Sequence, residues 1–227
     1  MLSRKEQLFR TIVRQHIALG EPVGSKFLVE KSRMDCSPAT VRNDMATLEQ
    51  EGFLTHPHIS AGRIPTEKGW KWYIEHFLEE QPLAKKSQEA LAKASDDGDD
   101  RQQAIKHVAR TLAELSAETA IVGFSPDDTY YTGLSNLFTK PEFAELNLVQ
   151  QLSSVVDHLD SVMRDLFKSR DTDVRVLMGE DNPIDEHCSL VVIRLETTEP
   201  TVVALLGPMR MDYDQVLPLL RYTRGLI

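Results

Sequence analysis

Arg42 and Asn43 stand side by side in the stretch SPATVRNDMATLEQ, with Ser37 and Thr40 before them and Thr47 one turn on. In the major groove arginine is the commonest bidentate partner of guanine and asparagine of adenine, each match supplying roughly 1 to 3 kcal/mol of discrimination. The competing reading of Arg42 is an ion pair with Asp44 or Glu49 on a solvated helix face. Further on, FLTHPHISAGRIPT carries His56, His58 and Arg63. An arginine there can enter a narrow minor groove, and histidines can bond phosphate oxygens. Lys68 and Lys71 follow as further phosphate contacts. A helix beginning at Ser25 and Lys26 would offer its unpaired N–H groups to another phosphate.

Other chemistry has less to stand on. His56 and His58 could ligate a metal, but no third ligand lies near them in sequence. His187 and Cys188 are adjacent, so on a strand they face opposite ways and do not make a catalytic pair. DDGDD, from Asp96 to Asp100, lacks the ligand order of a calcium loop. GxGxxG, the P-loop and GxSxG are missing, so neither a cofactor nor an enzyme has positive support.

Helices must hold the reading pair. Ser37 is a suitable N-cap, Pro38 occupies the first helical position, and Gly52 stops the run. Val41, Met45 and Leu48 then face inward and turn Thr40, Arg42, Asn43 and Thr47 outward. A first helix with Leu8, Ile12, Val13, Ile17 and Leu19 ends at Gly20, and a short second one is capped by Ser25. Three such helices, with a tight turn between the last two, form a helix-turn-helix. The text after Gly52 suits a two-stranded hairpin, a wing, and Thr66 caps a helix striped by Trp70, Tyr73, Ile74 and Phe77. Residues 81–100 read as a partly helical linker.

The remainder, 101–227, predicts a helix through Ile105, Val108, Leu112 and Leu115, then a strand AIVGF. A seam from Leu148 through Leu152, Val155, Leu159 and Val162 to Leu166 predicts a long helix. Strands VRVLMG, CSLVVIRLE and TVVALLG and a final helix from about Asp214 complete the chain. That order is an α+β domain with an antiparallel sheet. The seam can pack on its own sheet or serve a dimer.

Composition limits the choices. The 227 residues carry a net charge of −9. Residues 1–75 hold 11 Lys+Arg against 9 Asp+Glu, and residues 76–227 hold 15 against 26. Only the first part can bind a polyanion. The longest apolar run, Val202 to Leu206, is far below the roughly 20 residues of a spanning helix. The charged start MLSRKEQLFR is unlike a signal peptide, and Cys36 and Cys188 lie far apart, so a reducing cytoplasm is expected. Besides a DNA-binding protein, a protein-docking module and a metal-dependent enzyme using His56 and His58 stay open.

GEPVGSKFL, SPATVRNDMATLEQEGFL and PHISAGRIPTEKGW resemble the N-terminal winged helix of the heat-inducible transcription repressor HrcA family. GLSNLFTKPEF, MGEDN, HCSLVVI and LGPMRMDYDQV are similar, in the same order, to segments of that family's C-terminal sensor domain. The resemblance implies a winged helix-turn-helix in residues 1–80, a linker in 81–100 and a small GAF-like antiparallel α+β domain in 101–227. It further implies a homodimeric repressor of chaperone genes on an inverted-repeat operator in double-stranded DNA, with a chaperonin as a further partner. AIVGFSPDD runs almost directly into TYYTGLSNLF, where the family carries a long segment with an inserted dimerisation domain, so the sensor domain is abridged. Ile59 and Met209 replace a usual Thr, and Pro218 is expected to interrupt the last helix.

Overall fold

The computed structural model describes residues 2–31, 37–58, 61–79, 81–96, 100–143, 159–195 and 199–227. The chain divides into two compact units, Met1–Glu79 and Glu80–Ile227. Ile59, Cys36 and the seam positions Leu148, Leu152 and Val155 lie outside the described residues. Among the described residues no helix is long and apolar enough to cross a membrane.

In the first unit α1 (Arg4–Leu19) begins with a capping box: Ser3 Oγ accepts the Glu6 N–H, and the Glu6 carboxylate accepts that of Ser3. Hydrogen bonding to the carboxylate from the Ser3 backbone N–H, and next from the Ser3 side chain, holds the Glu6 carboxyl below its usual range. The helix ends on Gly20 at φ 72°, a left-handed conformation that costs glycine nothing. Leu8, Phe9, Ile12 and Val13 are buried, whereas Leu19, expected on the apolar face, is exposed. α2 (Ser25–Lys31) has its first carbonyl acceptor one residue earlier than expected. Leu28 N–H bonds Gly24 O, so Ser25 opens the helix instead of capping it.

α3 (Pro38–Gln50) is capped by Ser37, whose Oγ accepts the Thr40 N–H, and buries Val41, Met45 and Leu48. Two short strands follow, β1 (Leu54–Thr55) and β2 (Ile64–Pro65), antiparallel with Leu54 opposite Pro65. Arg63 extends the second by pairing its backbone in both directions with Val23. Gly62 is required there, since a Cβ would stand 2.5 Å from the Val23 carbonyl carbon. α4 (Glu67–His76) is capped by Thr66, whose Oγ1 accepts from Gly69 and donates to Gly52 O. Trp70, Tyr73 and Phe77 are buried as the stripe requires. Trp72, which the stripe omits, stacks on Phe53 at 4.3 Å between ring centroids.

In the second unit, the stretch expected to be a linker contains α5 (Lys85–Ser95), whose Leu91 is fully buried and which packs on α6 (Arg101–Ser116). A free spacer has no reason to bury a leucine, so α5 belongs to this unit. A five-stranded antiparallel sheet follows, ordered β4-β3-β7-β6-β5. Its strands are β3 (Thr119–Ser125), β4 (Asp128–Thr132), β5 (Arg175–Met178), β6 (Cys188–Leu195) and β7 (Thr201–Pro208). β7 is buried at every position, as a central strand covered on both faces must be. β4 was not expected: its sequence DTYYT lacks the alternating apolar pattern, and it is half-exposed at the sheet edge.

α7 (Leu134–Phe138) and a 3-10 turn, Pro141–Phe143, lead to the undescribed segment. α8 (Leu159–Lys168) buries Val162, Met163 and Leu166 in the apolar layer with Ile121, Leu190 and Ala204. The described part of the seam therefore packs on its own sheet. α9 (Tyr213–Arg224) runs unbroken through Pro218, contrary to the expected interruption. The carbonyl deprived of that N–H belongs to exposed Asp214, and buried Tyr213, Val216, Leu219 and Leu220 hold the helix across the site. Val162, Leu219 and Leu220 are thus core residues of this unit.

Candidate nucleic-acid interface

The ion pairs of the first unit decide which of its cations are available. Asp44, one proposed partner of Arg42, instead accepts Arg4 Nε at 2.8 Å and Nη2 at 3.0 Å. Glu49, the other, accepts Arg63 Nε through Oε2 at 2.9 Å and pairs with His56 Nδ1 through Oε1. Arg42 and Asn43 are exposed on the outer face of α3, and no described residue pairs with either side chain. The bland account of Arg42 fails because both acids already have other cations.

For Arg63 the outcome is reversed. Its Nη2 also lies 2.9 Å from Glu49 Oε2, its Nη1 donates to Ala61 O at 3.3 Å, and its side chain is 22% exposed. The arginine expected in a minor groove is occupied by the fold. His56 shares the same carboxylate, whereas His58 is exposed.

A cleft of about 390 Å³ is lined by Ser25, Lys26, Arg42, Gly62 and Arg63 among others. Lys26 is exposed beside it and has no ion-pair partner among the described residues. Ser37 and Thr40 bond each other through their hydroxyls at 2.9 Å, and Thr47 Oγ1 donates to Asn43 O. Their hydroxyls serve the helix first.

Lys68 and Lys71 do not join this group. They line another groove, of about 630 Å³, with Phe53 and Trp72. Lys68 donates to Glu51 O at 2.8 Å and its ammonium sits 4.5 Å from the Phe53 ring centre, while Lys71 pairs with Glu67 one helical turn away. Among the described residues no group of three His, Cys, Asp or Glu could hold a metal.

The second unit contains a carboxyl group that no sequence pattern singles out. Glu118 is 3% exposed, and Lys140 Nζ donates to its Oε1 at 2.8 Å. Among the described residues its Oε2 has no hydrogen-bond partner, and a Cβ on Gly207 would collide with it. Burial pushes the Glu118 carboxyl up to about 7, against the pull of Lys140 and Arg210. Asn136 Nδ2 bonds Ala113 O and Glu118 O, and Arg210 pairs with Glu142. GLSNLFTKPEF and LGPMRMDYDQV therefore meet around one buried carboxylate. Burial likewise pushes the neighbouring Cys188 thiol up to about 12, which makes it an inert core residue.

Comparison with known proteins agrees with the resemblance. At 41% identity over 121 residues, the chain is similar to the heat-inducible transcription repressor HrcA of Nocardioides sp. (strain ATCC BAA-499 / JS614); the match covers 53% of this chain and 36% of that protein. The same name and identity hold for a relative from Mycobacterium sp. (strain KMS), of which 35% is covered. The matched region thus spans about a third of these relatives. In fold the chain resembles a crystal structure of a hypothetical protein, with a TM-score of 0.81 at 19% identity, covering 99% of this chain and 97% of that one. The family model described as the HrcA protein C terminal domain matches residues 71–217, well over half of the sequence. The chain belongs to the HrcA family.

Proposed function

We propose that this chain is a sequence-specific DNA-binding repressor of heat-shock genes, acting in the cytoplasm as a homodimer on an inverted-repeat operator. In this reading the first unit is a winged helix-turn-helix, with α3 as the recognition helix and β1–β2 as the wing. The second unit is a GAF-like sensor and dimerisation domain. A chaperonin is a further partner suggested by the family resemblance.

One observation carries the proposal. Arg42 and Asn43 are exposed together on α3, next to a cleft that Lys26 also borders, while the acids that could have neutralised Arg42 are paired elsewhere. An Arg–Asn couple that no described residue pairs with, on an outward helix face, is suited to base edges in the major groove. A single such helix reads few base pairs, and two copies related by a two-fold axis match an inverted repeat.

The test is selection of duplexes from a random pool, followed by salt titration on the enriched sequence. Binding through Z phosphate contacts weakens with a log–log slope of about −0.9Z. A protein-docking module would enrich no duplex, and that result would refute the proposal.

A further inference from the structure

We propose that Glu49 is a positioning residue for DNA recognition: its carboxylate locks the wing to α3 through Arg63 and His56, so that Arg63 aims the wing instead of touching DNA. This rests on the DNA-binding reading and assigns a role inside it.

Arg63 is held from two directions. Its backbone N–H and C=O both pair with Val23 at 2.9 Å, and the same chain segment has no room for a Cβ at Gly62. On its other side, Nε and Nη2 converge on Glu49 Oε2 and Nη1 reaches Ala61 O. A guanidinium engaged along its length is a brace, because swinging out requires giving up all three contacts. It would also strip the arginine from Glu49, a carboxylate 25% exposed on the reading helix, and leave its Oε2 facing phosphates. His56 on β1's far side shares that carboxylate, so the two ends of the described hairpin are tied to one atom group.

The position of Glu49 gives the lock leverage. It is seven residues beyond Arg42, two helical turns and about 10 Å along the axis, so both lie on the same face of α3. A bond there fixes the angle between the wing and the face that carries Arg42 and Asn43. Loss of the bond leaves the base-reading residues intact but lets the wing depart from one register on the duplex.

The experiment uses the full chain, the duplex enriched by the wild type and a shuffled duplex of the same length. The ratio of the two affinities is measured on one sample, so loss of folded protein cancels. Glu49→Gln and Arg63→Ala should each lower that ratio about tenfold, and the double variant should lose little more than either single one. Arg63→Lys keeps the charge but lacks the fork, and should behave like Arg63→Ala. The salt slope of Arg63→Ala should match that of the wild type. In NMR spectra the Arg63 Nε–H resonance should be resolved in the free protein, keep its shift on the duplex, and be lost in Glu49→Gln.

A different pattern overturns the lock. If Arg63→Ala flattens the salt slope by about 0.9, one phosphate contact, Arg63→Lys retains affinity and Glu49→Gln tightens both duplexes, Arg63 touches DNA and Glu49 is a brake. A shift of the Nε–H signal on DNA would say the same. Failure to enrich any duplex would end the DNA-binding reading and this role together, whereas enrichment with an unaltered ratio in Glu49→Gln ends this role alone.

Discussion

Glu49 in the first unit and Glu118 in the second each accept a cation from a distant part of the chain, yet their surroundings differ. Glu49 is a quarter exposed and has two side-chain partners, His56 and Arg63. Glu118 is 3% exposed and, among the described residues, has one cation on one oxygen and no partner on the other, which faces Gly207. Water screens the first pair, so its energy is small and its use is geometric. The second has lost water on nearly all sides, so its electrostatic stakes are large whatever its net contribution. The lesson is that the same ion-pair chemistry can aim a surface element in one unit and load a core in the other.

The largest expected effect tests that contrast from the core side. At pH 8, Lys140→Ala leaves the Glu118 carboxylate buried without its cation and should destabilise the second unit by roughly 3 kcal/mol in urea unfolding. His56→Ala, which removes one of two partners from a part-exposed carboxylate that keeps Arg63, should cost the first unit under about 1 kcal/mol. Equal losses would break the comparison.

A similar effect follows from pH. The folded Glu118 carboxyl, at about 7, lies above its unfolded value of 4.5, so folding takes up a proton between those values. The stability tied to this group is full below pH 4.5 and is lost as pH rises through 7, a change of about 3 kcal/mol. Glu118→Gln keeps an acceptor for Lys140 and should flatten that part of the profile. An unchanged slope would show that Glu118 is not the titrating group.

The proposed reading surface carries smaller effects. Arg42→Ala should cost about 1 to 3 kcal/mol on the enriched duplex and relax preference at one position of each half-site. Equal loss on shuffled DNA would remove Arg42 from base reading. The smallest effects belong to Lys68→Ala and Lys71→Ala, which should shift affinity by less than about 0.5 kcal/mol because each side chain already has a local partner in another groove. A larger loss would extend the DNA-facing surface to α4.

Sequence was informative where the physics is local. The α3 start was legible from Ser37 and Pro38, and the end of α1 from Gly20, because caps are set by neighbours a few residues apart. The core strands β3, β5, β6 and β7 were legible as apolar runs. Edge strand β4 was not, since a half-exposed strand needs no apolar pattern. The helical character of 81–100 was expected, but the burial of Leu91 was not, as one leucine carries no periodicity.

The sequence by itself determined most of the helices, the sheet class, the family resemblance and the outward placement of Arg42 and Asn43, all of which follow from short-range periodicity, caps and contiguous motifs. Only the tertiary structure decided which acid pairs with which cation. Asp44 took an arginine 40 residues earlier in the chain, so no described acid pairs with Arg42, and Arg63 is occupied because Glu49 reaches it from 14 residues away. Likewise Glu118 met Lys140 across 22 residues. An ion pair is settled by distance in space and by how much water is excluded, and neither quantity is written in the spacing of residues along the chain.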